Sequence, residues 1–77
     1  MEQKLKTLMA ELFRMKEDDI TDALTMEHTD VWDSLKHMEL VLAIEQAFEI
    51  ELALEEIVAM LSFKDIKCVL AEKALGA

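Results

Sequence analysis

Apolar positions fall into four groups at helical spacing, separated by polar stretches. Leu5, Leu8, Met9, Leu12 and Phe13 recur on one side of a 3.6-residue period and predict a first helix from Glu2 to about Lys16. Leu40, Val41, Ile44, Ala47 and Phe48 form a second stripe, within a stretch from Ser34 to Glu49 that has no Gly, no Pro and mostly good helix formers. Leu54 to Leu61 predicts a short third helix. Its apolar residues are too many to face one core, so some are exposed or line a cavity. Phe63, Ile66, Val69, Leu70 and Leu75 predict a last helix from about Phe63 to Leu75. Ser62 and Asp65 open it in a capping-box arrangement, and Gly76 is a suitable stop. Val and Ile never alternate as a strand requires. The expected fold is all-α: a small four-helix bundle with three longer helices and a short third one, in a single domain over residues 1–77.

The connections carry further information. Residues 17–31 are polar and acidic, and long for a connector in a small domain, which suggests a function or a hidden helical turn. Ile20 and Leu24 are expected to pin this segment to the core. Asp18, Asp19 and Asp22 lack the spacing of a calcium loop and read as solvated acids. Residues 49–53 read as an extended connector, and Trp32 as a residue that packs the loop before the second helix.

The start of that second helix is the chemical focus. Asp33 is a good N-cap, and Ser34 follows at the first helical position. The serine hydroxyl then lies near the positive end of the helix, a natural place to hold a phosphate. Away from the core stripe, Leu35, Met38 and Leu42 interleave with Glu39, Glu45 and Glu49. Scattered exposed leucines are ordinary, but three large apolar residues set among carboxylates beside Ser34 read as a docking face. Lys36, in the first turn, opposes the helix macrodipole.

Charge sharpens this picture. The net charge is −9, yet residues 1–16 carry +2 and residues 57–77 carry +1, while residues 17–56 hold thirteen acids against Lys36 alone. That distribution argues against nucleic acid and for a basic protein partner steered in by the field. The one cysteine, Cys68, can form no internal disulfide, so a reducing cytoplasm is the expected compartment. No apolar run is long enough to span a membrane, the N-terminal stretch does not resemble a signal peptide, and a monomer is expected.

Catalysis is not expected. Ser34, His37 and Asp33 could be read as a hydrolase constellation, but no glycine-rich turn supplies an oxyanion hole and 77 residues leave little room for a cleft. His28, His37 and Cys68 lack metal-ligand spacing, so no metal site is expected. A serine exposed at a helix start beside a docking face suits covalent modification by another protein.

Asp33-Ser34-Leu35, followed by Met38 to Glu45 and then Phe48, resembles the acyl carrier proteins, and the Trp32-Asp33-Ser34-Leu35 variant resembles stand-alone, specialised members. The resemblance covers essentially the whole chain and is most specific from Trp32 to Phe48. It implies a non-catalytic four-helix bundle whose Ser34 receives 4′-phosphopantetheine from coenzyme A, through a magnesium-dependent phosphopantetheinyl transferase. The arm would carry acyl intermediates as thioesters in fatty-acid-like, specialised lipid or polyketide biosynthesis. Asp33, Leu35, Met38, Glu39, Leu42 and Glu45 would form the recognition face for basic patches on partner enzymes. An apolar interior between the second and third helices would hold an acyl chain. Thr29 to Trp32, Lys36 and the Ala53-Leu54 pair depart from the common fatty-acid carriers and favour a dedicated secondary pathway.

Three alternatives stay open. One is an aminoacyl or peptidyl carrier on the same arm, although the acidic helix and the absence of Gly-Gly before Ser34 argue against it. The others are an acidic interaction module without a prosthetic group and, last, a small hydrolase.

Overall fold

The computed structural model describes residues 2–76, with side chains through Lys73. Four α-helices follow in chain order: α1, Glu2–Phe13; α2, Ser34–Phe48; α3, Leu54–Ala59; and α4, Phe63–Gly76. Among the described residues there is no strand, only an isolated bridge between Thr25 and Ser62. The all-α expectation is borne out. The side chain of Leu75, expected in the core, lies outside the described residues, and Gly76 is the last residue of α4 rather than a stop beyond it.

The core is built from one face of each longer helix. α1 contributes Leu5, Met9, Ala10 and Phe13; α2 contributes Leu40, Val41 and Ile44; α4 contributes Phe63, Ile66, Val69 and Leu70. Phe48 is only partly buried, packed at the edge of this cluster. From outside the helices come Ile20, Trp32, Leu52 and Met60, all buried.

α1 is shorter than its apolar pattern suggests. Arg14 takes a left-handed conformation (φ 57°). Met15 N–H then donates to the Ala10 carbonyl at 2.9 Å, and Arg14 N–H to Glu11 at 3.4 Å. This is a Schellman closure, made without the glycine that usually advertises it. α2 ends in a related way: Glu49 is left-handed (φ 54°), and Ile50 N–H donates to the Glu45 carbonyl at 3.2 Å. Lys4 reaches across from α1, donating to the Ala47 carbonyl at 2.6 Å while standing 5.1 Å from the Phe48 ring centroid. A cation there complements the negative end of α2.

The acidic connection does hold a hidden helical turn, a 3-10 segment at Glu17–Asp19. Ile20 is buried and Leu24 partly so, which pins the segment as expected. Farther on, Met26 N–H donates to Leu61 at 2.9 Å and Phe63 N–H to Leu24 at 3.0 Å, joining the connection to the start of α4. Asp22 is not simply solvated. It accepts from Lys67 of α4 at 2.7 Å, and Lys67 also approaches Glu2 of α1 at 3.6 Å. The Lys67 hydrogen bond holds the Asp22 carboxyl below its ordinary value of 3.8, and the same bond raises the Lys67 ammonium above 10.5.

Candidate functional site

The start of α2 is fixed by its own sequence. Asp33 is extended (φ −94°, ψ −175°), and its carboxylate accepts the Lys36 N–H at 2.8 Å. Its carbonyl accepts the His37 N–H, also at 2.8 Å, which opens the helical ladder. Ser34 therefore stands at the first helical position, exposed, as Asp33 and Leu35 are. The N–H groups of Ser34 and Leu35 precede the first intrahelical bond and have no partner within the helix. Outward backbone donors beside an exposed hydroxyl suit a phosphate group held through that oxygen.

The chain has two serines, and the structure separates them. Ser62 also stands at a helix start, but its side chain is half-buried and its hydroxyl accepts the Asp65 N–H at 3.0 Å. It is the N-cap of α4 and is occupied as one. The side chain of Ser34 is exposed, and Asp33 does the capping in its place.

Beneath Ser34 the helix turns inward. Trp32 is 1% exposed and packs 5.3 Å, centroid to centroid, from Phe13 of α1. Its indole N–H donates to His37 Nδ1 at 3.0 Å. His37 is 8% exposed, and its Nε2 lies 2.9 Å from the Ile57 carbonyl of α3. An indole nitrogen can only donate and a carbonyl can only accept, so the two partners fix the tautomer: Nδ1 accepts and Nε2–H donates. With both ring nitrogens engaged inward, His37 is not placed to act as a base toward Ser34. The hydrolase arrangement is thereby excluded.

Outward from Ser34 lies the mixed face. Leu35, Met38 and Leu42 are 72%, 49% and 58% exposed, too much for core residues. Glu39 is half-buried and pairs with Lys36 Nζ at 3.2 Å, so the lysine is tied to its own helix face. Glu45 is half-buried too, and its carboxylate accepts the Leu52 N–H at 2.9 Å, fastening the connector before α3. Leu54, Val58 and Leu61 add further exposed apolar surface on and after α3. No group of three or more potential metal ligands occurs among the described residues, and no described helix is long and apolar enough to cross a membrane.

Residues 3–67 match the family described as "Phosphopantetheine attachment site". The chain belongs to that carrier family. The match spans α1 through the first part of α4 and so includes the whole arrangement around Ser34. A member of the family is a non-catalytic carrier that bears 4′-phosphopantetheine, placed there by a phosphopantetheinyl transferase. The helix start fits such a group by its exposed hydroxyl and its unpartnered N–H donors.

Sequence reasoning allowed His37 no more than an ordinary surface or packing role; the structure makes it a packing residue, with inward partners that the sequence did not identify. The signal was present: His37 stands three, four and seven residues before Leu40, Val41 and Ile44, on the core side of α2.

Proposed function

We propose that Ser34 is the attachment residue and that this phosphopantetheine carrier transports acyl intermediates, with Asp33, Leu35, Met38, Glu39, Leu42 and Glu45 presented to partner enzymes. The single observation that supports Ser34 is its difference from Ser62. Both stand at helix starts, but only Ser34 leaves its side chain in water, with capping delegated to a neighbour. When bound, the 4′-phosphopantetheine supplies a flexible arm ending in a thiol, on which an acyl group is held as a thioester. The chain's own residues position and present that arm. Asp33 fixes the turn, the free N–H donors face the phosphate, and the mixed face meets a basic partner. Tethering raises the local concentration of the cargo at whichever enzyme is docked.

Acyl cargo is preferred to aminoacyl cargo by the concentration of acid in residues 17–56 and by the exposed leucines and methionine among those acids. Departures from the common fatty-acid carriers support a dedicated lipid or polyketide pathway, in a cytoplasmic monomer whose one carrier domain spans residues 1–77. The test is intact mass after incubation with coenzyme A and a broad-specificity transferase. The parent chain and Ser62→Ala should each gain one arm and Ser34→Ala none. An arm on Ser34→Ala would overturn the assignment.

A further inference from the structure

Among the four α-helices, α3 alone has no fully buried side chain. It is six residues long, Leu54 and Val58 are exposed, and Ile57 is only partly buried against the core. So short a helix gains little from its own ladder and depends on what holds it from outside. Leu52 and Met60 anchor its flanks in the core. Two polar contacts come from neighbouring helices. Lys73 of α4 reaches Glu56 at 2.8 Å, and His37 of α2 reaches the Ile57 carbonyl at 2.9 Å.

The second contact is the more consequential for the site. The imidazole is buried, and its other nitrogen is held by the Trp32 indole. The chain Trp32–His37–Ile57 thus joins the loop before α2, the first turn of α2 and the C-terminal end of α3. Moving α3 away would leave a buried N–H without its acceptor, which an apolar setting penalises. His37 is three residues after Ser34, about 4.5 Å along the helix axis. The contact that closes the seam between α2 and α3 therefore lies within one helical turn of the residue that would carry the group.

We propose that His37 latches α3 against α2 and excludes an acyl chain carried at Ser34 from the seam between those helices. Cargo then rides on the outside of the bundle. That selects short or polar acyl groups, which lose little by staying in water, over long alkyl chains. This inference rests on the reading of Ser34 as the attachment residue. It also replaces the expectation, implied by the resemblance, of an acyl chain held between the second and third helices. His37 is a positioning residue, acting through Ile57.

The experiment has two arms that fail separately. In the unmodified protein, amide hydrogen exchange is compared for the parent, His37→Leu and His37→Gln. The leucine variant should speed exchange in α3 by about tenfold and leave α1 and α4 unchanged. Glutamine, whose amide N–H can donate to the same carbonyl, should restore most of the protection. Equal α3 exchange in all three would overturn the latch. In the second arm, transferase loads Ser34 from a coenzyme A conjugate carrying an alkyl chain with an environment-sensitive fluorophore at its end. The parent should emit like the free conjugate in water, and His37→Leu should shift to the blue. A blue shift already in the parent would overturn the exclusion, and this measurement stands even if the leucine variant does not fold. Absence of label on Ser34 would instead refute the attachment reading and the cargo claim that rests on it, while hydrogen exchange would still report the latch.

Discussion

Single residues at the start of α2 divide cleanly between structure and presentation. Asp33 caps, Trp32 and His37 pack, and Ser34, Leu35, Met38 and Leu42 face outward. A large side chain moved from burial to water loses about 1.5–3 kcal/mol, so the two roles give different thermal signatures. Met38→Gln or Leu42→Gln should leave the melting temperature nearly unchanged while slowing modification by the transferase. A loss of stability on that scale would place these residues in the core instead. Lys36 has a simpler account than its position suggests. A lysine in the first turn opposes the dipole, at about 0.3–1 kcal/mol when exposed, but here its ammonium is turned to Glu39. The helix pattern made the serine, its cap and the mixed face legible. It could not show that Trp32 and His37 close on Ile57, because that bond joins residues twenty positions apart and exists only after α3 has docked.

Helix cores were legible and helix ends less so. Apolar patterning located all four helices, since three or four core positions in each longer helix leave little freedom in which face turns inward, and α3 was marked by its run of apolar residues alone. The overlong reading of α1 has a definite physical source. Its end is made by Arg14 in a left-handed conformation, whereas the sequence signal for such an end is glycine or asparagine. Glu49 does the same at the end of α2. A left-handed conformation costs a non-glycine residue about 1–2 kcal/mol, partly cancelled for glycine by its freer unfolded chain. Glu49→Gly should therefore raise the midpoint of urea unfolding, by up to about 1 kcal/mol in stability. A lower midpoint would mean that Glu49 makes compensating contacts. The third helix followed its unusual composition: Met60 went to the core, while Leu54, Val58 and Leu61 stayed in water.

At the scale of the whole molecule, charge does two things. Acids concentrated in residues 17–56 create a field that should speed the approach of basic partners. Association with the transferase should slow as salt rises and the Debye length falls below about 8 Å. A flat salt series, with the enzyme's intrinsic activity controlled, would show docking to be mainly apolar. Charge also fastens the bundle at Asp22–Lys67 and Glu56–Lys73, contacts that sequence spacing could not reveal because each joins distant segments. The Lys73 hydrogen bond, helped by the Ala53 N–H, holds Glu56 below its ordinary value of 4.5, as Lys67 holds Asp22 below 3.8. Carboxyls depressed by folding add stability above their unfolded values and lose it as pH falls through the folded ones. Lys67, raised above 10.5, adds stability below that value and loses it as pH rises through its folded one. Urea unfolding across pH should accordingly show an acid limb that is shallower in Lys67→Met and Lys73→Met, and an unchanged limb would assign acid sensitivity to other groups. The central claim, that the exposed serine at the head of α2 carries the arm, is tested most directly on the unaltered chain. Fragment mass mapping after transferase and coenzyme A treatment should place one 4′-phosphopantetheine on Ser34 and leave Ser62 unmodified. An arm on Ser62, or on any residue other than Ser34, would contradict the account.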